Sequence, residues 1–163
     1  PLYSSAASDV YKRQVIDHVI SKKQKKSIVK ISSGALLSEA SKLLADNKIG
    51  ALPITNNSDS ILGILSERDI IKEISLKGAA GLDSKVGDVM TSTVSCCGRF
   101  DTLKSVIERM NEGRFRHMPV VENDKIVEFI SISDLVLAHL NEVEFENDAL
   151  KGSVTGNVRR KSN

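Results

Sequence analysis

The chain repeats itself. Shifting it by 66 positions places Leu37 on Leu103, Ala40 on Val106, Pro53 on Pro119 and Asn57 on Asn123. One residue is lost in the hairpin that follows, after which Ile61 falls on Ile126, Ser66 on Ser131 and Asp69 on Asp134. Internal repetition constrains the architecture more strongly than any local propensity. Each copy ends in Ser-x-x-Asp behind an apolar strand, so the chain reads as a paired binding module with two related clefts.

Each copy reads strand, helix, strand, strand, helix. Ile28–Ile31 is a short β-branched run. Ser32 or Ser33 is placed to cap the next helix, whose apolar face is Leu36, Leu37, Ala40, Leu43 and Leu44. Asn47 in one copy and Gly113 in the other stand where a left-handed residue ends a helix. Two hairpins follow, Ala51–Leu65 and Met118–Ile130, with polar turns in the middle. Pro53 and Pro119 mark an edge or a strand start. The closing helices begin at Ser66 and Ser131. Lys77–Ser84 is a Gly-rich linker, Val86–Met90 a helical turn, and Asn141–Lys151 an added helix with Val143 and Leu150 able to face inward. The expected fold is α+β (α/β): two β-α-β-β-α repeats packed about a pseudo-twofold axis and sharing one core.

The domain assignment is a non-native or disordered leader over 1–14, the first copy over 15–80, linker and lead-in over 81–92, the second copy over 93–140, and a C-terminal helix with a disordered basic tail over 141–163. The leader carries both tyrosines, Tyr3 and Tyr11, and has no place in the repeat. A net charge of +2 gives no argument for nucleic acid, and no apolar run reaches the ~20 residues a membrane span needs. The two cysteines, Cys96 and Cys97, are adjacent and cannot staple a fold, which points to reduced thiols and a cytoplasmic setting.

Three strings carry a resemblance: Ile64-Leu65-Ser66-Glu67-Arg68-Asp69-Ile70, Gly113-Arg114-Phe115-Arg116-His117-Met118-Pro119-Val120-Val121, and the lead-in Val86-Gly87-Asp88-Val89-Met90-Thr91. Set in two registered copies, they resemble a pair of cystathionine-β-synthase (CBS) domains, a Bateman module, over about residues 15–152. The chain is similar to small stand-alone bacterial or plant organellar members. The resemblance implies regulatory binding of AMP, ADP, ATP or an adenosyl compound between the copies, with no obligatory cofactor. It also implies a homodimer through the closing helices and a regulated partner protein.

Such a ligand needs an apolar slot, an acceptor for the ribose diol and donors for phosphate. A carboxylate accepts from both ribose hydroxyls, which makes Asp69 and Asp134 the candidates. Ser66 and Ser131 sit at helix starts that favour an anion. Ile28, Val94, Leu52 and Met118 are candidates to line the slot. Arg114, Arg116 and His117 are candidates for phosphate. The same Ser-x-x-Asp is also a helix capping box, contributing roughly 0.5–2 kcal/mol without any ligand.

Where the resemblance implies glycine at Gly63, the second copy carries Glu128, and a second expected glycine is Ser133. A carboxylate beside a phosphate costs roughly 1–4 kcal/mol depending on the dielectric, so the cleft built on Asp69 is the better candidate. An alternative is an interaction scaffold without ligand, regulating a redox partner such as thioredoxin. An enzyme is not expected: the sequence offers no metal-ligand spacing, nucleophile elbow or phosphate-cradling Gly loop, and His18, His117 and His139 are scattered.

Overall fold

The computed structural model describes residues 14–158, with side chains to residue 152. The expected leader (save Gln14) and the basic residues after Val158 lie outside the described residues. In chain order the elements are α1 (Ile16–Lys22), α2 (Leu37–Asn47), β1 (Ala51–Thr55), β2 (Ile61–Ser66), α3 (Glu67–Lys77), a 3-10 helix (Gly78–Asp83), α4 (Val86–Val89), α5 (Leu103–Gly113), β3 (His117–Glu122), β4 (Lys125–Ser131) and α6 (Ile132–Val158).

The helices and hairpins of the repeat read from the sequence are reproduced in both copies. Leu37, Ala40 and Leu44 form the buried face of α2, and their counterparts Leu103, Val106 and Met110 that of α5. Hairpins β1–β2 and β3–β4 are antiparallel, and each carries a register shift at the same repeat position, Ile54/Thr55 and Val120/Val121. Pro53 faces Ile64, whose N–H and carbonyl turn away from β1 to bond Thr91. The pair is therefore not a hydrogen-bonded one, and the missing proline N–H costs the hairpin nothing.

Four local expectations are corrected. The first strand of each copy shrinks to one parallel bridge, Ile31 to Ile54 and Cys97 to Val120. The N-cap of α2 is Leu36 rather than Ser32 or Ser33, and the Glu39 carboxylate accepts from the Leu36 N–H at 2.8 Å. The left-handed residues are Lys48 and Arg114, one place after Asn47 and Gly113. Gly113 answers a packing demand instead, since a Cβ there would stand 2.2 Å from the Phe115 ring. The closing helix α6 does not stop at Leu140 but runs to Val158, because no Gly or Pro interrupts it before Gly152. On it Val143 is half-buried and Leu150 exposed.

The copies do not share one core. Each has its own, and each is completed by the lead-in of the other. Ile16 and Val19 of α1, at the start of the first copy, pack with Leu103, Val106, Met118, Ile130 and Leu135 of the second. Val86 of α4, which precedes the second copy, packs with Leu37, Leu52, Ile54 and Leu65 of the first. Matching backbone hydrogen bonds fix the exchange. Leu103 N–H donates to the Gln14 carbonyl at 2.8 Å and Ile16 N–H to Asp101 at 3.0 Å. Leu37 N–H donates to Ser84 at 3.0 Å and Val86 N–H to Ala35 at 2.8 Å. Gln14, assigned to the leader, is thus buried and part of the fold. Ile16 has no exposed surface. Ile16→Ala is expected to lower stability by about 2–5 kcal/mol in urea denaturation, as truncation inside the second core does.

Candidate functional site

Where the copies meet, a cleft of about 680 Å³ opens. One wall is the end of β2 and the start of α3, with Ile64, Ser66, Glu67, Arg68 and Asp69. The facing wall comes from the second copy: Thr91 and Thr93–Ser95 after the lead-in, and the loop Gly113–His117 after α5. Gly63 brings the walls together. A Cβ on it would stand 2.9 Å from the Thr91 carbonyl oxygen, and its absence lets Thr91 and Ile64 exchange two backbone hydrogen bonds of 2.9 and 3.0 Å.

Asp69 closes a capping box. Its Oδ2 accepts from the Ser66 N–H and hydroxyl, both at 2.8 Å, and Asp69 N–H donates to Ser66 Oγ at 3.4 Å. Glu67 N–H donates to the Gly50 carbonyl at 3.0 Å. The amides of Glu67 and Asp69 are therefore engaged within the fold, and the Ser66 amide and hydroxyl both bond Asp69. Asp69 Oδ1 has no hydrogen-bond partner among the described residues. Arg114 and Arg116 are exposed and in no ion pair among the described residues. Arg114 sits at φ 54°, a left-handed conformation that costs a non-glycine residue roughly 1–2 kcal/mol.

His117 lines the inner end of the cleft and stacks on Phe129 with ring centroids 5.5 Å apart. Burial, helped by the Arg116 charge, lowers its pKa from the ordinary 6.5 against the pull of Asp134 and Glu67. Its surroundings thus favour the neutral ring, a hydrogen-bonding group rather than a cation. Its folded pKa lies below its unfolded one, so the stability it contributes is full above pH 6.5 and is lost as pH falls through the folded value. His117→Gln is expected to flatten the pH dependence of the urea midpoint below pH 6.5.

Six of the residues singled out in the sequence line this cleft together: Ser66, Asp69, Val94, Arg114, Arg116 and His117. Ser131 lines a second cavity of about 620 Å³, beside Lys48, Gly50, Glu67, Arg116 and His117. Asp134 and half-buried Ile28 line neither. Leu52 and Met118, expected in the apolar slot, are instead fully buried in the two cores. They lie one place before the prolines on strands whose faces are covered on both sides. The apolar lining comes from Ile64, Ala51 and Phe115, and Thr91, Thr93 and Ser95 add hydroxyls that sequence reading missed. The repeat register offered a signal for Thr93, since it sits between the lead-in and the first strand, where the two copies differ in length.

The second cleft is built differently. Ser131 and Asp134 form the same capping box, at 2.9 and 3.2 Å. Beside it, Lys23 Nζ donates to the Phe129 carbonyl at 2.7 Å and to Glu128 Oε1 at 3.1 Å, and lies 3.4 Å from Asp134 Oδ2. The adjacent thiols take no part in either cleft. Cys97 is buried against the Pro119 carbonyl, and burial pushes its pKa up to about 12. Burial raises Cys96 as well. Among the described residues no helix is long and apolar enough to cross a membrane, and no His/Cys/Asp/Glu group could hold a metal.

The fold is shared with known proteins. A CBS-domain containing protein from Agrobacterium tumefaciens is 35% identical, with a TM-score of 0.72 over 77% of this chain and 93% of its own. The CBS domain pair of protein MJ0100, solved with 5-methylthioadenosine and S-adenosyl-L-methionine, is 19% identical with a TM-score of 0.69, covering 79% and 98%. A mitochondrial CBS domain-containing protein of Arabidopsis thaliana is 28% identical over 123 residues, 72% of this chain. The chain spans 59% of that relative's length. The family description "CBS domain" matches twice, over residues 18–76 and 86–141, once on each copy of the repeat. The chain therefore belongs to the CBS domain family, as a tandem pair.

Proposed function

We propose that the chain is a regulatory, non-catalytic module that binds an adenine nucleotide, AMP, ADP or ATP, in the 680 Å³ cleft and changes the behaviour of a partner protein. The observation that carries this reading is the pairing of Asp69 Oδ1 in one copy with the guanidiniums of Arg114 and Arg116 in the other, all three without a hydrogen-bond or ion-pair partner among the described residues. In this reading the carboxylate accepts from the ribose diol. Ile64, Ala51, Val94 and Phe115 enclose the base, and the arginines take phosphate by paired donors. A ligand held this way touches both copies, so its binding free energy acts on their relative position. The adenosine compounds bound by the MJ0100 pair support the ligand class.

The exposed apolar side chains Ile71 and Leu76 on α3, and Val136, Leu137 and Leu140 on α6, support a homodimer through the closing helices. Reduced thiols favour a cytosol-like compartment, though the relative from Arabidopsis is mitochondrial. Isothermal titration with AMP, ADP and ATP tests the proposal. Micromolar to millimolar binding, roughly −8 to −4 kcal/mol, is expected. Silence with all three would leave the ligand-free scaffold in its place.

A further inference from the structure

The two clefts start from one plan, and two of the positions at which they differ bear on what can enter them. Counted along the repeat, Ser66 and Asp69 correspond to Ser131 and Asp134, and both pairs form the same capping box. Gly63 corresponds to Glu128. Counted from the lead-in helices, which make matching backbone bonds through Asp17 and Gly87, Thr93 corresponds to Lys23. The first cleft thus has a bare backbone and a hydroxyl where the second has a carboxylate and an ammonium.

The consequences differ in kind. In the first copy Gly63 admits the Thr91 backbone against Ile64, and a cavity remains open beside Asp69. In the second, the Lys23 side chain replaces that backbone contact by donating to the Phe129 carbonyl, the residue matching Ile64. It also donates to Glu128 Oε1 at 3.1 Å and lies 3.4 Å from Asp134 Oδ2 as an ion pair. The Glu128 carboxylate also accepts from the Phe129 N–H at 2.9 Å, which fixes its direction. An ammonium has three donors and no acceptor, and here three oxygens within 3.4 Å surround it.

We infer that Lys23 is a built-in occupant of the second cleft, seated on the carboxylate that would otherwise accept a ribose, so that the chain takes one nucleotide and not two. This rests on the proposed nucleotide reading for the first cleft. Glu128 does not act by repelling phosphate. It anchors the cation that fills the place of the sugar. A ribose reaching Asp134 would have to displace an ammonium that is hydrogen-bonded to Glu128 and the Phe129 carbonyl and ion-paired with Asp134, while itself offering only neutral hydroxyl donors, and it loses that exchange.

Two measurements on the full chain decide the matter. The first is calorimetric titration with ATP, ADP and AMP of the wild type, Asp69→Ala and Asp134→Asn. One ligand per chain is expected, lost in Asp69→Ala and unchanged in affinity in Asp134→Asn. Two ligands per chain, or a binding event lost in Asp134→Asn, overturns the inference. The second needs no nucleotide: amines are acylated with a small activated ester and labelled sites are read by mass spectrometry. Lys23 is expected to label about tenfold more slowly than exposed Lys25 and Lys26, because it must first leave its hydrogen bonds. Glu128→Gln should raise its rate towards theirs. Equal rates in the wild type overturn the inference. If no nucleotide binds the wild type, the functional proposal fails alone and the labelling still decides the place of Lys23.

Discussion

Gly63→Val is expected to damage both stability and ligand binding, and far more than Glu128→Val at the matching place in the second copy. A Cβ at Gly63 would lie 2.5 Å from Met90 Sδ and 2.9 Å from the Thr91 carbonyl. Methionine can swing away, but the carbonyl is backbone and is held by the Ile64 N–H at 3.0 Å. The valine therefore pushes Thr91 off β2 and breaks two backbone hydrogen bonds in a part of the fold where Gly63 itself is buried. Overpacking of this kind costs about 1–3 kcal/mol, and the broken pair adds about 0.5–1.5 kcal/mol per bond. Thr91–Ser95 is also the facing wall of the cleft, so the affinity for nucleotide falls with the stability. Position 128 already carries a side chain, and its valine should change the urea midpoint much less. A Gly63→Val protein as stable as the wild type would show that the close approach of Thr91 to β2 is not a feature of the fold.

Asp69→Ala and Asp134→Ala should lose similar stability and very different affinity. Each removes a capping carboxylate, at about 0.5–2 kcal/mol. Only Asp69 lines an open cleft, whereas the capping oxygen of Asp134, Oδ2, also lies 3.4 Å from the Lys23 ammonium. Hydrogen bonds to a charged acceptor contribute about 1.5–3 kcal/mol, so Asp69→Ala is expected to weaken nucleotide binding by about 10- to 100-fold. Thermal denaturation and titration of the two variants separate the roles. Equal affinity in the wild type and Asp69→Ala would reduce this aspartate to a helix cap.

Much of the architecture was legible because the repeat forces it. Two copies of one apolar spacing gave the buried faces of α2 and α5, and two polar turns gave the hairpins. What the chain's sequence hid was non-local. The lead-ins α1 and α4 are short and unremarkable along the chain, yet they cross to opposite copies, so that one expected core became two. The left-handed residues were misplaced by one position because Gly113 reads as a helix stop, while its real constraint is the Phe115 ring folding back over it. Leu52 and Met118 look like slot residues only while the strands are thought to be covered on one face.

The candidate site divides the same way. Ser-x-x-Asp was visible, but whether it caps or binds depended on the hydrogen-bond directions, and for Ser66 the cap takes both the hydroxyl and the amide. Glu128 stood out as a departure, and its expected effect was repulsion of phosphate. Its partner Lys23 lies 105 residues earlier, in a stretch of lysines that carries no pattern of its own.

Binding of ATP and of its 2′,3′-dideoxy counterpart to the wild-type chain, compared by calorimetry, tests the Asp69–ribose contact with no change to the protein. About 10- to 100-fold weaker binding of the dideoxy compound is expected, from the loss of both hydroxyl donors to a charged acceptor. Equal affinities, or heat from neither, would contradict the account.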